Sequence, residues 1–155
     1  MLISSPNFSN GGMIPRKFTQ QGEDISPAIE ITDLPEGAKS IVLVCMDPDA
    51  PDPQALKRTF IHWIVYNLPA VPLYLPEGAD PKVLYPNCFQ GLNDRGKVGY
   101  IGPKPPIGIH RYYFKAFAAD CWLKFEKTPS LKEIYYSLDG RVVAMAEYMG
   151  RYKLL

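Results

Sequence analysis

Histidine is scarce in this 155-residue chain. There are two, His62 and His110, and any chemistry that needs an imidazole must use them. Cysteine is nearly as scarce: Cys45, Cys88 and Cys121 stand far apart. With no C-x-x-C pair and an odd count, they give neither a disulfide framework nor zinc-type spacing, so reduced, mostly buried thiols are expected. No apolar run approaches the roughly 18 residues that a membrane helix needs. No basic segment followed by an apolar stretch opens the chain, so no signal peptide and a cytoplasmic address are expected. An excess of charge of one sign is also missing. The formal net charge is +1, and the longest basic cluster is Lys57-Arg58, which reads as a solvated loop. A nucleic-acid binder would carry a basic stripe, and none is visible. Finally, no proline follows Pro129.

Before that point proline is abundant. There are 16, spread from Pro6, roughly twice the usual share of about 5%. Proline removes a backbone donor and is kept out of helix interiors and central strands. Most of the chain is therefore expected to be short strands joined by rigid turns, with uninterrupted helix confined to residues 130–155. Apolar residues make up 46% of the sequence, as in a globular protein. The length suits one domain, residues 1–155, with a core that buries about two-thirds of the unfolded surface.

Three segments read as strands. Ser40–Met46 is short, β-branched and apolar throughout, as in a strand buried on both faces. In 59–68, a strict period of two puts His62, Ile64 and Tyr66 on one face and Ile61, Trp63 and Val65 on the other. In 111–118, Tyr112, Phe114, Ala116 and Ala118 form the apolar face. Ile29–Thr32 alternates as a short strand would. Residues 69–108 are too long for a structureless loop, so short strands are expected near 83–85 and 99–101. In the tail, Ser130 and Glu133 form a capping box. Apolar residues then recur at helical spacing through Leu131, Ile134, Tyr135 and Leu138, and through Val142, Met145, Ala146 and Met149. Two short helices divided by Asp139-Gly140 are expected, with Gly150 as a C-cap. The fold class is therefore all-β dominated: an antiparallel β-sandwich of two sheets with a short C-terminal helical element.

Three places can carry chemistry. Asp47-Pro48-Asp49-Ala50-Pro51 follows a buried strand, and its two carboxylates share a side in an extended loop; a plain turn has the same composition. His62 sits in an apolar strand and needs a hydrogen-bond partner, for which Asp47 or Asp49 is the obvious choice. Residues 99–112 combine Tyr100, prolines and glycines that fix the loop's shape, and then His110 and Arg111. That suits an anion site as well as it suits a proline-rich connector.

Taken in order, Asp47-Pro48-Asp49-Ala50-Pro51, His62-Trp63 and Gly102-Pro103-Lys104-Pro105-Pro106-Ile107-Gly108-Ile109-His110-Arg111-Tyr112 resemble the phosphatidylethanolamine-binding family, in its prokaryotic Raf kinase inhibitor-like branch. Gly22–Pro27, Leu34–Gly37 and Ala146–Tyr152 extend the resemblance over almost the whole chain. It implies a two-sheet β-sandwich and a small pocket for phosphate, phosphorylethanolamine-like groups or similar anions. The pocket residues it implies are Asp47, Asp49, His62, Tyr100, Gly102, Pro103 and His110, with Arg111 bracing them. Many relatives have Cys where Lys104 stands, and a lysine there adds positive charge at the mouth or simply faces water.

The expected function is small-anion binding; the resemblance links relatives to inhibition of kinases or of peptidases, and neither target is assigned to this chain. Residues 52–58 and the termini are candidate docking segments for a peptidase. No cofactor, nucleic acid or membrane insertion is expected, and the chain is expected to be a monomer or a homodimer. Two other readings compete. The Asp and His residues could perform acid–base hydrolysis, although the motifs contain no Ser or Cys nucleophile. His62, His110 and an aspartate could form a two-His-one-carboxylate metal set. Repulsion between two aspartates and an anion would be relieved if a neighbouring carboxylate favoured the imidazolium of His62 or His110.

Overall fold

The structure is a computed structural model that describes residues 1–154. Among the described residues, eight strands form two antiparallel sheets. The small sheet has the order β1-β2-β5, from Leu2–Ser4, Ile29–Thr32 and Leu73–Leu75. The large sheet has the order β6-β4-β3-β7-β8, from Phe89–Gln90, Ala55–Pro69, Ser40–Asp52, His110–Ala119 and Val142–Tyr152. Among the described residues, two short α-helices, α1 at Pro81–Leu84 and α2 at Leu131–Leu138, and a 3-10 turn at Arg16–Phe18 complete it. No helix among the described residues is long and apolar enough to cross a membrane.

β3 is buried on both faces, as its unbroken apolar run predicts. Ile41, Leu43 and Cys45 enter the core between the sheets, where they meet Ile29 and Ile31 of β2, Leu73 and Leu75 of β5, and Tyr112, Phe114 and Ala116 of β7. Val42, Val44 and Met46 face the other way, into a second cluster roofed by Ile134 and Leu138 of α2. That helix starts at the expected place, with the Glu133 carboxylate accepting hydrogen bonds from the Ser130 backbone N–H (3.2 Å) and hydroxyl (3.1 Å).

Several expectations are corrected. Residues 142–149 are strand, not a second helix. Val142, Met145, Ala146 and Met149 fit a helical spacing, but Ala146 and Tyr148 also alternate, and both pack against the inter-sheet core. Pairing with β7, from Ala119↔Val142 to His110↔Tyr152, decides the outcome. Gly150 is therefore not a cap. It is a buried strand residue whose missing Cβ makes room for Ile14 and Phe8. The helical element is followed by an 11-residue strand. Residues 83–84 lie in α1, where Asp80 caps the N-terminus by accepting from the Lys82 N–H (3.0 Å) and Pro81 opens the first turn. Residues 99–101 are loop; nearby, only an isolated bridge joins Leu92 and Val98. Lys57 and Arg58 are exposed but belong to a long β3–β4 hairpin that pairs Ala50 with Arg58 and Asp52 with Ala55. The Asp47–Pro51 segment is likewise irregular strand rather than a turn, and its Ala50–Pro51 peptide bond is cis.

The strict alternation expected for β4 also breaks. Cys45 pairs with Trp63, but Met46 pairs with Ile61, so His62 is the extra residue of a β-bulge. Ile61 therefore shares the α2 side with Ile64, while His62 turns toward the Tyr112 side. At the far edge, residues 10–14 clasp the end of β8. Gly11 N–H donates to the Met149 carbonyl (2.6 Å), Arg151 N–H to Gly12 (2.8 Å) and Ile14 N–H to Arg151 (2.8 Å).

Candidate functional site

β3, β4 and β7 converge on a cleft of about 390 Å³, closed on one side by the 99–106 loop. β7 begins at His110, and the irregular Asp47–Pro51 stretch of β3 and the bulge of β4 lie beside it. Asp47, His62 and His110 all line this cleft.

Asp47 and His110 form a buried pair, 3% and 1% exposed, with Oδ2 2.6 Å from Nδ1. The other imidazole nitrogen, Nε2, lies 2.9 Å from the Ile107 carbonyl, which can only accept, so Nε2 carries a hydrogen. The Nδ1–Oδ2 contact then needs one proton between the two groups, and on either side that proton leaves the pair without net charge. Burial pushes the Asp47 carboxyl above its ordinary 3.8, while hydrogen bonds from His110 and the Asp49 N–H (2.7 Å) oppose the rise.

His62 does not pair with an aspartate. Its Nδ1 donates to the Ile101 carbonyl at 2.6 Å, which fixes the tautomer and holds the loop against β4. Phe60 and Tyr112 flank the ring at 4.8 and 5.3 Å. Burial pushes its pKa from 6.5 down to about 4, with Arg95 and His110 adding to the fall. The expected imidazolium at His62 is thus replaced by a neutral ring.

This depression has a consequence for stability. The unfolded chain takes up a proton below pH 6.5, and the folded ring does not until about pH 4. The contribution of His62 is complete above 6.5 and is lost as pH falls toward 4, amounting to about 3 kcal/mol. Urea midpoints measured between these pH values should drop more steeply for the wild type than for His62→Gln, which keeps a donor for Ile101 and does not titrate.

Asp49 is kept out of the cleft. Arg111 grips it with Nε–Oδ2 at 2.9 Å and a second nitrogen on Oδ1 at 2.8 Å, and the Arg111 backbone N–H adds a bond of 2.8 Å. These hydrogen bonds hold the Asp49 carboxyl below its ordinary range. Asp47 and Asp49 part company because β3 slips register between Asp47 and Ala50.

Tyr100, Gly102 and Pro103 also stand behind the cleft rather than in it. The Tyr100 hydroxyl donates to the Phe18 carbonyl (2.7 Å), and its ring packs edge-on against Trp63. Gly102 donates to Asp24 (2.6 Å) and accepts from the Gln20 amide (3.0 Å), while the Pro103 carbonyl accepts from the Gln20 N–H (3.0 Å). Together they fix the loop's position.

Sequence reasoning singled out Lys104, which does line the mouth, but missed the two arginines. Arg58, Arg95 and Lys104 line the opening, with Asp94 as the facing carboxylate. Asp94 Oδ2 accepts from the Ile61 N–H at 2.8 Å. Arg58 lies 5.0 Å above the Phe60 ring, and Arg95 donates to the Gln20 side-chain oxygen at 3.2 Å. Residues 58, 60 and 62 alternate along one strand, so period two offered a signal for Arg58. Nothing comparable marked Arg95, which the 91–99 turn delivers. Among the described residues, no Ser or Cys lines the cleft. Nδ1 of His62 and both nitrogens of His110 are committed to protein partners, so the two-His-one-carboxylate set is not assembled.

Comparison with known proteins follows the same lines. The family model for phosphatidylethanolamine-binding protein matches residues 4–153. A UPF0098 protein of Chlamydia trachomatis is 42% identical over 153 residues, 99% of each chain. Among solved structures, a Chlamydia trachomatis homolog of phosphatidylethanolamine-binding protein superposes with a TM-score of 0.90 at 42% identity, covering 99% of this chain and 97% of that one. Escherichia coli YbcL gives 0.87 at 30%, covering 99% and 98%. The carboxypeptidase Y inhibitor, solved with its cognate proteinase, shares the fold at 16% identity and a TM-score of 0.64, over 99% of this chain and 83% of the inhibitor.

Proposed function

Because the chain belongs to the phosphatidylethanolamine-binding protein family, in its prokaryotic branch, we propose that its cleft binds a small anion bearing a phosphate-like group, and that the protein works as a binding module rather than as an enzyme. The observation that carries this reading is the charge arrangement. Three cationic side chains, Arg58, Arg95 and Lys104, surround an opening whose one unneutralised carboxylate is Asp94. Asp47 shares a proton with His110, and Asp49 is consumed by Arg111, so neither repels an anion. The neutral His62 adds a polar edge without adding charge. A planar guanidinium matches phosphate oxygens in pairs, which favours Arg58 and Arg95 as the principal contacts. Asp94 suits the ammonium end of a zwitterion such as phosphorylethanolamine. A protein partner of the kinase or peptidase kind, as the family resemblance implies, would meet the exposed hairpin tip at residues 52–58.

The test is calorimetric titration with inorganic phosphate, phosphorylethanolamine and a neutral control such as ethanolamine. Arg58→Gln and Arg95→Gln should each weaken phosphate binding about tenfold, the usual worth of one charged hydrogen-bonding group. Binding should also weaken as salt is raised. Phosphate affinity unchanged in the double variant would place any anion site elsewhere.

A further inference from the structure

We infer that a second pocket of this chain binds a small primary amine, holding its ammonium group through Asp24, Asp80 and Ser26. The pocket has a volume of about 280 Å³ and shares no lining residue with the anion cleft. Trp63 of β4 and Gln90 of β6 form part of its wall, with Asp24 and Ser26 from the segment before β2, Asp80 at the start of α1, and Tyr100. The 99–106 loop thus borders two spaces. Gly99 and Tyr100 line this one, and Lys104, Pro105 and Pro106 line the cleft.

Most side-chain donors of the pocket are already engaged. The Trp63 indole N–H donates to the Gln90 side-chain oxygen at 2.8 Å, and the Tyr100 hydroxyl to the Phe18 carbonyl at 2.7 Å. Apart from the Gln90 amide nitrogen and the Ser26 hydroxyl, what remains is acceptor. Asp24 uses Oδ1 to hold the Gly102 N–H, and Asp80 uses Oδ1 to cap α1 at the Lys82 N–H. The second oxygen of each is left over, and neither carboxylate forms an ion pair among the described residues. The cations nearby are committed elsewhere. Arg95, whose field reaches Asp24, donates to the Gln20 side-chain oxygen at 3.2 Å, and Lys82 donates to the Pro86 and Cys88 carbonyls at 3.1 Å.

Ser26 is an independent sign of a ligand. It is 4% exposed, its carbonyl accepts the Gly78 N–H at 2.9 Å, and its hydroxyl has no hydrogen-bond partner among the described residues. A buried polar group is almost always paired. Every side-chain polar atom sealed from solvent among the described residues is paired, so the Ser26 hydroxyl opens onto the space beside it, which is this pocket. An ammonium group has three donors and no acceptor. It matches the free oxygens of Asp24 and Asp80 and the Ser26 oxygen one for one. Trp63 and Tyr100 supply aromatic walls, which favour a cation with a short apolar body, and the volume suits a small molecule.

Fluorescence titration tests this directly. The chain has two tryptophans, Trp63 and the half-exposed Trp122, so a Trp122→Phe background leaves Trp63 as the reporter. Propylammonium at constant ionic strength should change its emission with half-saturation below about 10 mM, the strength of two or three charge-assisted hydrogen bonds to a small ligand. The neutral 1-propanol should not. Asp24→Asn keeps an acceptor for the Gly102 N–H, and Asp80→Asn keeps a cap for α1. Both variants should fold, and each should weaken the amine about tenfold. Arg58→Gln, in the anion cleft, should leave amine binding unchanged. The absence of any saturable change overturns the proposal. So does an equal response to 1-propanol, a response that either Asn substitution leaves unchanged, or one that Arg58→Gln abolishes.

Discussion

Replacing His110 with alanine should lower folding stability by about 3–5 kcal/mol at neutral pH, the cost of removing one member of a buried pair. The loss is large because of what remains. Asp47 is 3% exposed and would keep one donor, the Asp49 N–H at 2.7 Å, with no counter-charge within the core. Asp47→Asn in the same background should recover part of the loss, because an amide at that position carries no charge and can still accept from Asp49. The pH dependence gives a second check. The folded Asp47 carboxyl already titrates above its ordinary 3.8 because of burial, and losing the His110 hydrogen bond removes a force that lowers it. A carboxyl whose folded pKa is raised favours folding while it is protonated, at low pH, and this contribution is lost as pH rises through the folded value. The deficit of His110→Ala should therefore be smaller near pH 4 than near pH 7, measured against wild type by urea midpoints. A deficit that does not change with pH would mean that Asp47 is not the group left stranded.

Gly102→Ala should cost about 3 kcal/mol or more, at the upper end of overpacking. A Cβ there would stand 2.4 Å from the Phe18 carbonyl oxygen, 2.5 Å from Asp24 Oδ1 and 2.8 Å from Thr19 Cα. None of these can retreat freely. The Phe18 carbonyl accepts the Tyr100 hydroxyl, and Asp24 accepts the Gly102 N–H itself. The 16–24 and 99–106 loops must separate, and the cleft opens on the side that Gln20 and Lys104 share. Gly37→Ala provides the comparison. It has φ of 84° but open space around it, so it should cost about 1 kcal/mol from backbone strain alone. Thermal unfolding of the two variants separates crowding from dihedral strain. Phosphate titration then shows whether Gly102 acts on the cleft, because Gly37→Ala should leave binding unchanged.

The sandwich was legible because its strongest signals are local. β3 reads as a doubly buried strand from seven apolar or small residues in a row, and β7 from clean alternation at Tyr112, Phe114 and Ala116. β8 was misread because its apolar residues satisfy both periods, and only pairing with β7 chooses between them. The site was legible in part. The motifs brought Asp47, His62 and His110 to one place, yet their partners were exchanged: His110, not His62, took the aspartate. A bulge at His62 and a slip between Asp47 and Ala50 cause this, and both are properties of two strands together. Tyr100, Gly102 and Pro103 were assigned to the lining by the family resemblance. In fact the segment has two sides: Tyr100 and Gly102 bond to Phe18 and Asp24, which do not line the cleft, and Gln20 at its rim holds Gly102 and Pro103. Arg95 could not be found from sequence, since its place depends on the turn anchored by Asn93, whose side chain accepts from the N–H groups of Arg95 and Lys97 (3.0 and 3.2 Å).

The clasp of residues 10–14 on β8 also bears on the order of assembly. Its bonds join positions up to 140 residues apart, as when Arg151 Nε reaches the Gly11 carbonyl at 2.7 Å. Closing so large a loop is entropically costly and rewards the chain only after the intervening strands are in place. The β3–β4 hairpin can form early from its own sequence. The clasp must wait until β8 has left the ribosome and docked on β7. Residues 10–14, which precede every strand of the large sheet in the chain, are therefore among the last to be fixed, and their ordering would report that the whole sheet has been completed.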